Sequence, residues 1–245
     1  HYEGVTSYYD DLFLLRAGIL EAAGYLDVVA ENGTRLALNP GLELHMLAYA
    51  SFEAWIKFYQ PDENTPNATV SYYVKGGLVA LCLDLTLRLH SKLTLDDVMR
   101  ALWQRYGAPG IGVPEVGLEA MAQELSGLKL KSFFDLALRS TRELPLQKLL
   151  SEFGVEAQQR PAQGDADIGG RASGLPVSAY LGLALKAGDV SVSQVPSGSP
   201  AAQAGISAGD ILVALNGLRG AQCNCADNIA TLQPGRPRTL QFCRR

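Results

Sequence analysis

Among the side chains that could do acid–base or metal chemistry in this chain are Glu3, Tyr72, Tyr73, Lys75 and the three histidines His1, His45 and His90. The histidines are far apart and stand in unrelated contexts. No HExxH occurs, so no helix presents two imidazoles four residues apart on one face. A core or surface histidine is the expected state of His45 and His90. The cysteines Cys82, Cys223, Cys225 and Cys243 have neither the spacing of paired CxxC hooks nor that of a dense disulfide framework, and are expected as free buried thiols. Taken alone, Glu3 is a solvated glutamate near a chain end. Tyr72 and Tyr73 likewise open an apolar run as packing residues with satisfied hydroxyls. The triplets Asn32-Gly33-Thr34 and Asn67-Ala68-Thr69 match the glycosylation pattern, but such matches are common by chance.

The elements that must position these residues come in two kinds. From Ser7 to about Phe153 apolar residues recur at three- and four-residue spacings, as in Leu12, Leu15, Ile19 and Leu20 and in Val79, Leu81, Leu85 and Leu89, which predicts helices. Thr94 caps a helix running to Tyr106, with Asp96 and Asp97 at its positive end, and Gly107 stops it. Further helices are expected around 118–125, 131–139 and 145–153. Residues 156–176 are rich in Gln, Gly, Ala and Asp and read as a linker between a helical domain, 1–155, and a second domain, 177–245. There, short β-prone runs at 181–185, 190–195, 211–215 and 238–243 predict strands. Basic residues are scattered and the net charge is −4, which argues against a nucleic-acid partner. The most apolar stretch, Gly76 to Leu89, is broken by Asp84 and Arg88 and is too short to span a bilayer, so a buried helix and no membrane partner are expected. No charged-then-apolar leader is visible, which leaves the compartment open.

The run Gly198-Ser199-Pro200-Ala201-Ala202-Gln203-Ala204-Gly205-Ile206, followed by Ala208-Gly209-Asp210-Ile211-Leu212 and Asn216-Gly217, resembles the most characteristic stretch of PDZ domains. Ser199 and Pro200 open a short helix, Gly205 ends it, and Asn216-Gly217 suits a tight hairpin turn. By that resemblance Tyr180-Leu181-Gly182-Leu183 is the carboxylate-binding loop. Leu181, Gly182 and Leu183 are then the peptide-binding candidates, and a C-terminal peptide is the partner. Residues 224–233 would line the groove, with Ile229 and Leu232 on its apolar side. A PDZ domain carries a further strand after the one expected at 238–243, so truncation is an expectation.

Glu3-Gly4-Val5-Thr6-Ser7-Tyr8-Tyr9 resembles the Glu-Gly-x-Thr-x-Tyr-Tyr run of the glycyl aminopeptidase family of gluzincin metallopeptidases. Ser71-Tyr72-Tyr73-Val74-Lys75-Gly76 is similar to their Tyr-x-Lys-Gly element. The resemblance implies that Glu3 is the third zinc ligand and that the Tyr73 hydroxyl donates to the developing oxyanion. The stretches 50–59, 62–64 and 95–103 match as scaffold, with no catalytic role. The implied fold is the helical lobe of a thermolysin-like peptidase followed by a β-rich PDZ-like domain. The implied function is a zinc-dependent aminopeptidase that takes peptides with small N-terminal residues such as glycine. Zinc is expected in the intact protein and not in this fragment, which lacks HExxH and is expected to be inactive alone. The alternative is a non-enzymatic scaffold presenting a PDZ module to peptides.

Overall fold

The structure, a computed structural model, describes residues 2–163, 167–172, 180–215, 218–219 and 239–243. It is mostly helical with a small strand region at the C-terminal end. The first helices are α1 (Tyr2–Arg16) and α2 (Ala22–Ala37). A 3-10 turn at Pro40–Glu43 precedes three short helices, α3 (Leu47–Phe52), α4 (Ala54–Lys57) and α5 (Thr65–Ala68). The long α6 (Tyr72–His90) follows, then α7 (Leu95–Leu102) with a π turn at Trp103–Gly107, α8 (Gly117–Ser126), α9 (Lys131–Arg139) and α10 (Leu146–Glu152).

Local chemistry explains several boundaries. Asp97, in the first turn of α7, accepts from the Thr94 N–H at 2.8 Å and its hydroxyl at 2.9 Å, closing a capping box. The Leu12–Leu20 periodicity overruns the real helix. α1 ends at Arg16, Gly18 takes a left-handed φ of +70°, and Ile19 is 75% exposed.

α6 is the axis of the helical part. Together with α5 it forms a stretch, Thr65–His90, long and apolar enough to cross a membrane. Here its side chains meet α1, α2, α3, α7 and α10 instead, with Leu83 and Leu87 fully enclosed among Leu95, Val98, Met121 and Phe134. Each such side chain contributes about 1.5–3 kcal/mol of burial. Two polar groups share this interior. Lys75 is fully buried, its ammonium 3.5 Å from the Ser140 carbonyl at the C-terminal end of α9, where the helix dipole favours a cation. Asp84 accepts from the Tyr8 hydroxyl at 2.7 Å, the Arg88 Nε at 2.7 Å and the Leu95 N–H at 2.6 Å. One carboxylate thereby joins α1, α6 and the start of α7.

The C-terminal part has two small antiparallel sheets: β1 (Ala184–Leu185) with β2 (Val192–Gln194), and the three-stranded order β4 (Leu218–Arg219), β3 (Ile211–Leu215), β5 (Leu240–Cys243). Between β2 and β3 lies α11 (Pro200–Gln203), capped by Ser199, whose hydroxyl accepts from the Ala202 N–H at 3.2 Å. Asn216, Gly217, Cys223, Cys225 and the expected groove helix 224–233 lie outside the described residues. Cys82 is buried as expected, whereas Cys243, on an outer strand of its sheet, is exposed.

Residues between the two parts pack on the helices. Arg171 reaches Asp27 of α2 at 2.8 Å, Gly169 lies against Thr34, and Arg160 pairs with Asp167 at 2.5 Å. A more specific tie comes from Asn67 in α5. Its amide donates to the Val195 carbonyl at 2.9 Å, and its carbonyl oxygen accepts from the Ser197 N–H at 2.8 Å. This asparagine of the second glycosylation triplet is thus spent on the segment leading to α11. Asn67→Ala removes both bonds and leaves two backbone groups without their partner, which costs about 1–3 kcal/mol. The Ser197 amide is therefore expected to exchange with solvent about 10–100-fold faster. An unchanged exchange rate in the variant would show that this contact does not hold the segment in place.

Candidate active site

Two glycines set the geometry. α1 and α6 cross so closely that a Cβ on Gly4 would lie 2.6 Å from the Gly76 Cα, and one on Gly76 2.8 Å from the Gly4 Cα. Any side chain at either position would push the helices apart. Glu3 stands one residue before the first glycine and Tyr73 three before the second, so the crossing brings the first turns of both helices together. α1 is held at this crossing by its tyrosine pair. Tyr8 donates to Asp84, and the Tyr9 hydroxyl donates to Asp96 at 2.7 Å, beside the Arg16–Asp96 ion pair at 3.0 Å. Burial, foremost, and the neighbouring carboxylates push both phenols above their ordinary range, so they remain protonated donors.

The Tyr73 hydroxyl lies 2.9 Å from that of Tyr59, which is also 2.9 Å from that of Tyr72. The Tyr72 and Tyr73 rings stack with centroids 4.5 Å apart, and Phe58 stands edge-on to Tyr72 at 5.3 Å. Tyr59 belongs to the stretch expected to be scaffold; nothing in its local pattern marks a hydroxyl that joins two others across a loop. Its hydrogen bonds with Tyr72 and Tyr73 hold its phenol below the ordinary value, while the Glu3 charge opposes them. For Tyr73 the bond to Tyr59 acts foremost and raises the phenol, and Glu3 adds to the rise. Tyr72 is raised chiefly by burial. Glu3 thus lies within electrostatic reach of the Tyr59 and Tyr73 hydroxyls and is itself exposed.

Tyr73 also borders a cavity of about 340 Å³ between α1, α2 and α6, walled by Asp11, Tyr25, Arg35 and Leu81 among others; Glu3 is not one of its walls. Glu3 bears on the Tyr73 phenol through its charge, from outside this cavity. His45 is buried beside Glu53, Nε2 to Oε2 3.3 Å, and His90 is exposed. Burial lowers the His45 pKa and keeps the ring neutral. His1 lies outside the described residues. Among the described residues no three His, Cys, Asp or Glu side chains are grouped as a metal would need. Glu3 itself stands at the exposed surface of α1.

In the C-terminal part, Leu181, Gly182 and Leu183 run beside α11. The Leu181 carbonyl accepts from the Ala201 N–H at 2.9 Å, and the Gly182 carbonyl accepts from the Ser199 hydroxyl at 2.9 Å. A trans peptide sets its N–H opposite its C=O. The N–H groups of Gly182 and Leu183 therefore point away from α11. Gly182 has φ +72°, and a Cβ there would meet the Ser199 Cβ at 2.2 Å, so no other residue fits.

Residues 1–79 match the sequence model of the M61 glycyl aminopeptidase family, and residues 191–219 that of a PDZ domain. No curated protein matches the chain. Among solved structures it is similar to the crystal structure of an aminopeptidase N family protein from Idiomarina loihiensis, with 36% identity and a TM-score of 0.91. That match covers 100% of this chain and 42% of the other, so the chain spans less than half of that relative's length.

Proposed function

We infer, from the match of residues 1–79 to the M61 glycyl aminopeptidase family, that the chain forms part of a zinc-dependent aminopeptidase acting on peptides with a small N-terminal residue. The observation behind this reading is the Gly4–Gly76 crossing, which sets against each other the first turns of α1 and α6, one carrying Glu3 and the other Tyr73. Glu3 is the residue of this chain that would hold the metal, with two histidines supplied from an HExxH helix as in the family. Bound there, zinc would polarise the peptide carbonyl and a water molecule. Tyr73 would donate a hydrogen bond to the carbonyl oxygen as that oxygen gains charge. Its phenol, raised above the ordinary value, stays protonated at neutral pH and is suited to this task.

The glycine preference, the need for HExxH and the inactivity of the chain alone are parts of the same reading. So are the boundaries at 155 and 176, and peptide capture by the outward N–H groups of Gly182 and Leu183, with Leu181 completing the loop. The test uses the full gene product and a panel of glycyl, alanyl and leucyl substrates. Glycine is expected to be released fastest, and Tyr73→Phe is expected to lower kcat about 10²–10³-fold, the cost of removing one oxyanion donor. Equal rates for the tyrosine and phenylalanine forms would remove Tyr73 from the chemistry.

A further inference from the structure

The cavity of about 340 Å³ between α1, α2 and α6 has no part in the chemistry assigned so far. Its size lies at the lower end of the roughly 300–1,000 Å³ of ligand sites. Val29, Leu78 and Leu81, all buried, give it an apolar floor. Asp10, Asp11 and Tyr25 give it a polar wall, and among the described residues none of these three side chains forms a hydrogen bond or an ion pair. The cation of the opposite wall, Arg35, is paired with Glu31 at 3.8 Å. The two aspartates are thus left without a positive partner. Burial, foremost, and the Asp10 charge raise the Asp11 carboxyl, which a bound cation would counter.

We propose that this cavity takes the second residue of the peptide and selects a basic side chain there, Asp11 holding its ammonium or guanidinium group and Asp10 adding its charge. The inference rests on the reading of Glu3 and Tyr73 as one site. Tyr73 and Ser7 are the cavity walls nearest that site, and the Ser7 hydroxyl donates to the Glu3 carbonyl at 2.9 Å. Asp11 lies two turns beyond Glu3 on the same helix, about 12 Å along its axis. The α-ammonium of the first residue is two bonds from the carbonyl under attack and cannot reach that far. A second residue advances the chain by about 3.5 Å. The stem of a lysine or arginine then lies on Leu78 and Leu81 with its charged head at the aspartate. A glutamate in the same place would meet two like charges.

The experiment gives the full gene product glycyl-lysine amide, glycyl-leucine amide and glycyl-glutamate amide and follows the release of glycine. The kcat/KM for the lysine substrate is expected to exceed that for the leucine substrate about tenfold, with the glutamate substrate slowest. Asp11→Asn is expected to bring the lysine-to-leucine ratio to about one. Asp10→Asn, at an exposed position, is expected to lower that ratio only about twofold. Circular dichroism confirms the fold of both variants, and the substrate series in the parent protein decides even if Asp11→Asn does not fold. Equal rates on the lysine and leucine substrates would overturn the inference and leave the aminopeptidase reading intact. So would a folded Asp11→Asn protein that keeps the parent's preference. Release of glycine from none of the three would overturn the aminopeptidase reading and the inference with it.

Discussion

Replacing Glu3 by Gln is expected to strip zinc from the full gene product and to take aminopeptidase activity below detection while leaving the fold intact. A catalytic zinc is held by three protein ligands, with a fourth position left for water. An amide oxygen carries no charge to replace the lost carboxylate. Loss of an outer-shell partner alone costs about 10–100-fold in metal affinity, and a direct ligand is expected to cost more. Stability should hardly change: Glu3 is exposed in the first turn of α1, and a surface substitution of this kind falls within about 0.5 kcal/mol. Zinc content by elemental analysis, read beside the thermal melt, separates the two effects. A Glu3→Gln protein that keeps about one zinc per chain would take Glu3 out of the metal site.

The second large effect belongs to stability. Asp84→Ala is expected to destabilise the protein by about 3–5 kcal/mol, because one buried carboxylate serves three donors on three elements. Without it, the Tyr8 hydroxyl and the Leu95 N–H stay buried with no acceptor, at about 1–3 kcal/mol each. Arg88, 37% exposed at its side chain, can turn to water. For a chain of this size the loss lowers the melting temperature by roughly 10 °C. Tyr8→Phe removes one of the three bonds and should cost only a fraction of that. An Asp84→Ala melt within about 2 °C of the parent would show that the network is incidental to holding α1 against α6.

That network bears on the site, because α1 carries Glu3 at its beginning and Tyr8 and Tyr9 a turn later. The sequence motif containing all three was legible as a motif. The division of work inside it was not: the tyrosines anchor the helix, and the glutamate is left outward. Tyr59 shows the same gap more sharply. Tyr59 and Tyr73 share no continuous helix or strand, with α5 and loops between them, so only the fold of the intervening segment reveals that their hydroxyls meet.

What the sequence by itself determined is local: the capping box of Thr94 and Asp97, the Ser199-capped turn of α11, β3 at Ile211–Leu215, and the helical class of the first 150 or so residues. These depend on side chains reaching their own backbone within a few residues, and neighbours in sequence suffice. The tertiary structure alone decided the Gly4–Gly76 crossing, the burial of Lys75 and Asp84 within an apolar helix, the Asn67 bridge to Val195 and Ser197, and the exposure of Ile19 and Cys243. Each is a matter of which surface arrives from far along the chain. A glycine, an aspartate or an asparagine has the same local preferences whether a distant helix packs on it or water does.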